Sequence, residues 1–253
     1  MTWQYDARGN MTEESYYGVD GKPCVRKDGF AKIICQYDAR GNRMEESYHG
    51  VDGKPCLLKD GYAKVTYQYD VRGNMTEAAC YGVDGKPCLH KSGYAKATAK
   101  YDAQGNRTEE SYYGVDGKPC LHKDGNAKIT WQYDARGNRT EESYYGVDGK
   151  PCLDKDGCAK WTWQYDARGN RTEAACYGAD GKPCLNKNGC AKVTMQYDAR
   201  GNMTEMACYG VDGKPCLNKD GFAKKETSYN DAGEETAIRT YDAEGKLIQE
   251  LKP

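Results

Sequence analysis

Cysteine carries the most versatile chemistry in this sequence, and its spacing is regular. Cys24, Cys56, Cys88, Cys120, Cys152, Cys184 and Cys216 stand 32 residues apart. A thiol can ligate a soft metal, pair as a disulfide, or act as a small apolar side chain. A metal column would need Cys-x-x-Cys spacing or a histidine cluster. Neither occurs, and His49, His90 and His122 do not repeat and read as surface variation. The expectation is no metal, no cofactor, and seven cysteines buried in the core after an invariant Pro.

The other six of the 13 cysteines are more selective. Cys158 and Cys190 replace an aromatic residue at one repeat position, while Cys176 and Cys208 replace Tyr at another. Each of these two pairs is 18 residues apart. If the first position touches the second in the following repeat, Cys158 with Cys176 and Cys190 with Cys208 are candidate disulfides, given Cα separations of about 4.4–6.8 Å. Coincidence within a short set of cysteines is the competing explanation. Cys35 and Cys80 stay single in this scheme, and an odd total leaves at least one thiol unpaired.

Tyr17, Tyr81, Tyr113, Tyr145, Tyr177 and Tyr209 form a second column. Exposed rings at a fixed spacing can hold sugar rings or peptide ends. They can equally stack to fill a thin, wet core. A third column is acidic, from Glu13 to Glu205, and like charges in register repel unless cations stand between them. Lys22, Lys27, Lys32 and their equivalents supply those cations. The Asp-x-x-Gly-Asn turns offer too few alternating oxygens for a tight calcium loop. A catalytic pocket needs a unique convergence of groups, whereas nearly every polar residue here recurs in each repeat. No enzymatic activity is expected.

These columns follow from one 32-residue module. Tyr5, Tyr37, Tyr69, Tyr101, Tyr133, Tyr165, Tyr197 and Tyr229 mark its start. Seven full repeats occupy residues 5–228 without insertion or deletion, within an array taken as 1–228, and residues 229–253 form a degenerate final repeat suited to capping. The chain opens partway through a repeat, at Met1-Thr2-Trp3-Gln4, and no secretory leader is read there.

Each repeat holds three Gly-ended turns, of which Asp6-Ala7-Arg8-Gly9, Gly18-Val19-Asp20-Gly21 and Arg26-Lys27-Asp28-Gly29 are the first set. No helix fits between them. Ala127, Ile129, Trp131 and Tyr133 alternate with Lys128, Thr130, Gln132 and Asp134, the pattern of a half-buried strand. Residues 139–145 form its partner across the turn. Residues 150–153 contain Pro151, which cannot donate to a ladder, and read as a connection or short edge strand whose Cys152 and Leu153 plug the core. Three full reversals would make successive repeats point in opposite directions. One hairpin plus a folded-back loop of about 11 residues avoids this. The expected fold is all-β, a tandem array of hairpins in a twisted antiparallel sheet or superhelix. A three-faced β-solenoid is the alternative.

Net charge is −1 and mean hydropathy is −0.96. The charge argues against nucleic-acid binding, and no apolar run approaches a membrane span of about 18 residues.

The Tyr-Asp-Ala-Arg-Gly-Asn motif, and above all Arg239-Thr240-Tyr241-Asp242-Ala243-Glu244-Gly245-Lys246-Leu247-Ile248, resembles the YD repeats of bacterial RHS-type proteins. The Tyr-Asp-x-x-Gly core spans the chain, while the 32-residue period, the Gly-Val-Asp-Gly-Lys-Pro-Cys segment and the cysteine content depart from that family. The resemblance implies a bacterial β-hairpin array, often surface-associated or part of a larger polymorphic protein. The Asp-Gly and aromatic pattern is also faintly similar to cell-wall-binding hairpin repeats, without their Trp-Tyr-Tyr signature.

The functional expectation is a non-catalytic scaffold or protein-interaction surface. A carbohydrate- or cell-wall-binding module using the Tyr column is the rival. Self-assembly through an open edge at residues 1–5 is the third reading. Free thiols fit a reducing or anoxic setting, whereas paired cysteines and a surface-type repeat fit export. Localisation leans to secretion or the surface of an anaerobic bacterium.

Overall fold

The computed structural model describes residues 1–252, and its chain divides into two compact units, 1–123 and 124–253. All of the described secondary structure is strand and turn. The first unit holds β1 (Thr2–Tyr5), β2 (Met11–Ser15), β3 (Lys32–Tyr37), β4 (Arg43–His49), β5 (Lys64–Tyr69), β6 (Met75–Tyr81), β7 (Lys96–Tyr101) and β8 (Arg107–Tyr113). The second holds β9 (Lys128–Tyr133), β10 (Arg139–Tyr145), β11 (Lys160–Tyr165), β12 (Arg171–Tyr177), β13 (Lys192–Tyr197), β14 (Met203–Tyr209), β15 (Lys224–Tyr229), β16 (Glu235–Tyr241) and β17 (Leu247–Leu251).

Within each unit every strand pairs antiparallel with the next in sequence. This is the expected hairpin array. It replaces the solenoid alternative, in which neighbouring strands would run parallel and pair across a full coil.

The tight turn of each hairpin is built by its own side chains. In the turn joining β5 to β6, Asp70 Oδ1 accepts from the amides of Arg72 and Asn74, both at 2.9 Å, and Oδ2 accepts from Asn74 Nδ2 at 2.9 Å. Gly73 closes the turn at φ +88°, a conformation that costs side-chain-bearing residues about 1–2 kcal/mol. A bulge precedes the turn, between Gln68 and Tyr69, where the register shifts.

The connection between hairpins is longer than expected. Residues 82–95 separate β6 from β7. Pro87 makes an antiparallel bridge with Tyr81, and the Cys88 amide donates to the Cys80 carbonyl at 3.1 Å. A second turn follows, with the His90 amide donating to Tyr94 at 2.7 Å. β6 and β7 nevertheless run antiparallel, so the loop makes one net reversal and successive hairpins keep the same direction. Residues 150–153 form the expected connection, contributing one bridge at Pro151 and no strand, but Leu153 is 52% exposed and does not plug the core.

Cross-strand pairs sort the faces. Lys64–Tyr81, Thr66–Ala79 and Gln68–Glu77 lie on one side, and Val65–Cys80 and Tyr67–Ala78 on the other. Loop residues cover the second side. In the first unit Phe30, from a loop, lies between Tyr16 and Tyr48 in edge-to-face contacts at 5.8 and 5.2 Å, beside Ile33 and Cys35. Burying each such side chain contributes roughly 1.5–3 kcal/mol. The invariant alanine explains itself here. Ala31 is 2% exposed, its amide donating to His49 and its carbonyl accepting from Tyr16. It sits where three chain segments meet.

Candidate interaction surface and thiol cluster

The polar face of the array is a ladder of three-residue clamps. Lys64 Nζ lies 3.3 Å from Glu45 and 5.1 Å from the centre of the Tyr81 ring. Lys96 repeats this with Glu77 and Tyr113, as do Lys160 with Glu141 and Tyr177, and Lys192 with Glu173 and Tyr209. Lys128 lies over Tyr145 at 4.6 Å. The lysines neutralise the acidic column and offer cation–π attraction of about 0.5–1 kcal/mol at such sites. Of the candidate binding tyrosines, Tyr17 is exposed, whereas Tyr81, Tyr113, Tyr145, Tyr177 and Tyr209 are half-buried. The column exists, but apart from Tyr17 its rings are already engaged by ammonium groups.

The cysteine expectations need two adjustments. Cys158 and Cys176 form the predicted disulfide, with Cα atoms 5.7 Å apart. Cys190 and Cys208 do not. Both are buried free thiols, and burial pushes the Cys190 pKa up to about 12. Finally, Cys24, Cys56, Cys88, Cys120, Cys152, Cys184 and Cys216 are half-buried rather than buried. They sit on the rim of the loops, where the thiol reaches the preceding loop. Cys56 Sγ is 3.6 Å from the Gly29 carbonyl, and Cys184 Sγ is 3.5 Å from that of Gly157.

That position produces a contact the spacing did not reveal. Cys184 Sγ lies 3.2 Å from Cys176 Sγ, so three sulfurs from two successive repeats converge. The disulfide occupies two of them, and the third is a thiol. The cysteines at 176 and 184 flank one fold-back turn, which pairs their backbones.

Two of the histidines are also not surface variation. His90 stacks between Tyr62 and Tyr94 at 5.8 and 5.2 Å, and His122 stacks on Tyr112 at 4.8 Å. Desolvation in this column lowers the His90 pKa below the usual imidazole value.

The outward edge of the loops carries a further row. In the first unit Val51, Val83 and Val115 are 53–54% exposed, and Leu57, Leu89 and Leu121 are 50–51% exposed. Val147, Val211, Leu153, Leu185 and Leu217 continue the pattern in the second unit. Asp and Lys of the same loops flank each apolar pair.

No protein-family model matches this chain, and no curated protein matches it. Among solved structures it is similar to the crystal structure of TcdB2-TccC3, with a TM-score of 0.55 and 12% identity over 98% of this chain and 12% of that one. The crystal structure of TcdB2-TccC3-TEV aligns with a TM-score of 0.37 and 14% identity, over 95% of this chain and 13% of that one. At 12% identity the likeness to the first is one of fold, a repeated β-structure, and this chain spans a small part of that neighbour's length.

Proposed function

We propose that the chain is a non-catalytic repeat scaffold that presents its loop edge to a protein partner. The observation that carries this is the row of half-exposed Val and Leu side chains, repeated at one place in each loop and flanked by charge. Apolar side chains exposed together mark interaction sites more often than singly scattered ones. The charged and aromatic groups of the opposite face, by contrast, are satisfied within the array. The YD-type motifs and the fold likeness to TcdB2-TccC3 support placing it among bacterial RHS-type hairpin arrays.

The test is partner capture by the purified chain, compared with a variant carrying Leu57→Asp, Leu89→Asp and Leu121→Asp. These leucines are exposed, so the variant should fold, as circular dichroism would show. Loss of the captured partner is the expected result. Capture that survives the three substitutions would refute the reading. A glycan-array signal abolished by Tyr113→Ala with Tyr145→Ala would transfer function to the tyrosine column.

A further inference from the structure

The repeats are not equivalent everywhere, and one place breaks the pattern in a way that suits a ligand. Position 126 carries Asn where Tyr62 and Tyr94 place rings in earlier repeats and Cys158 and Cys190 place thiols in later ones. Its side chain is buried at 3% exposure, and its Nδ2 has no hydrogen-bond partner. Buried amide donors are almost always satisfied. Asn126 lines a cleft of about 410 Å³, within the size range of small-molecule sites.

Neighbouring loops also stand further apart here. A Cβ added at Gly157 would meet the Leu185 carbonyl at 3.7 Å, and one at Gly189 the Leu217 carbonyl at 3.5 Å. At Gly125 the same construction meets nothing within 4 Å. The Cys152 thiol is correspondingly 3.8 Å from the Gly125 carbonyl, against 3.5 Å at the two later loops.

The remaining walls combine aromatic faces with polar groups. Trp161 and Trp163 lie within 6° of parallel, with centroids 6.3 Å apart. Asp154 fixes the first by accepting from its Nε1 at 3.0 Å, which leaves the indole face as the group on offer. Guanidinium groups of Arg139 and Arg171 lie over the second, at 4.9 and 5.7 Å. Glu142 is bridged to Arg139 at 2.8 Å. The lining also holds Asp124, Lys155 and Asp156, the last bridged to Lys187, so charges of both signs are present and neither dominates, which disfavours a strongly ionic ligand.

We infer that this cleft binds a neutral saccharide, one ring face against Trp161 and its hydroxyls bonded by the Asn126 amide and the Glu142 carboxylate. Sugars pair an apolar ring face with a dense set of donors and acceptors, and an indole beside an unused amide donor complements both. The inference is independent of the loop-edge scaffold and uses none of its residues.

The experiment is isothermal titration of the full chain with short soluble oligosaccharides of hexose and N-acetylhexosamine, with a neutral peptide as control. At least one sugar should bind saturably, and Trp161→Ala should weaken it about tenfold. Asn126→Tyr is the decisive variant. It restores the aromatic residue that earlier repeats carry, so it should keep the fold and its melting temperature while filling the cleft and weakening binding about tenfold or more. No saturable heat with any sugar at millimolar concentration overturns the inference. So does unchanged affinity in Asn126→Tyr, or binding of the peptide instead of every sugar.

Discussion

Tyr69 donates its phenolic hydrogen to the main-chain carbonyl of Arg43, 2.9 Å away and one hairpin back. The same bond joins Tyr37 to Met11, Tyr101 to Met75, Tyr165 to Arg139 and Tyr197 to Arg171, at 2.8–2.9 Å. The residue that marks the repeat in the sequence is therefore the residue that fastens one repeat to the last. Tyr69→Phe keeps the ring and deletes the bond. It should cost about 1 kcal/mol, read as a lower urea midpoint. Tyr37→Phe combined with Tyr101→Phe should cost nearly the sum of the two, because the sites share no partner.

Two glycines with the same backbone sign should respond differently. Gly53 has φ +76° and open space where a Cβ would stand. Gly61 has φ +96°, and a Cβ there would lie 2.8 Å from the Leu89 carbonyl of the next loop. Gly53→Ala should cost about 1–2 kcal/mol from the left-handed backbone alone. Gly61→Ala should cost about 1–3 kcal/mol more, because loop stacking must give way. Equal losses in chemical denaturation would show that the loops do not support one another.

The turn aspartates set an acid limit. Asp38, Asp70 and Asp102 are held below the usual carboxylate pKa, first by the side chains of Asn42, Asn74 and Asn106. A folded pKa below the unfolded one means that the unfolded chain binds more protons between the two values. The contribution is fully present above the unfolded value of about 3.9 and is lost as pH falls through the folded value. Melting temperature should therefore decline below about pH 4. Asn74→Ala should shallow that decline, and an unchanged slope would remove the turns as its cause.

The three converging sulfurs predict a specific exchange. In the native chain Cys158 and Cys176 are bonded, and Cys184 waits 3.2 Å from Cys176. Cys158→Ala should redirect oxidation by glutathione disulfide to a Cys176–Cys184 bond. Cys184→Ala should leave Cys158–Cys176 intact. Alkylation followed by peptide mass mapping distinguishes these products, and full alkylation of both Cys176 and Cys184 in oxidised Cys158→Ala would contradict the geometry.

By itself the sequence determined the module, its strands and its turns. Alternation by two at residues 127–134 and the Asp-Ala-Arg-Gly turns are local, and local rules of backbone sterics and side-chain alternation decide them. Matching an aromatic position of one repeat to a cysteine position of the next was enough to pair Cys158 with Cys176, because strict periodicity converts sequence offset into spatial offset. Tertiary structure alone decided what depends on the loop folding back twice. It brought Cys184 to the disulfide, drew His90 and His122 into the aromatic column, and lifted the Val and Leu row into solvent. Cys190 and Cys208 satisfy the same offset yet stay thiols, so proximity is legible in the spacing while bond formation is not. The Asn126 cleft is visible in sequence only as a missing ring. Its size follows from how far apart the flanking loops settle, which is a property of packing between repeats and of no single repeat.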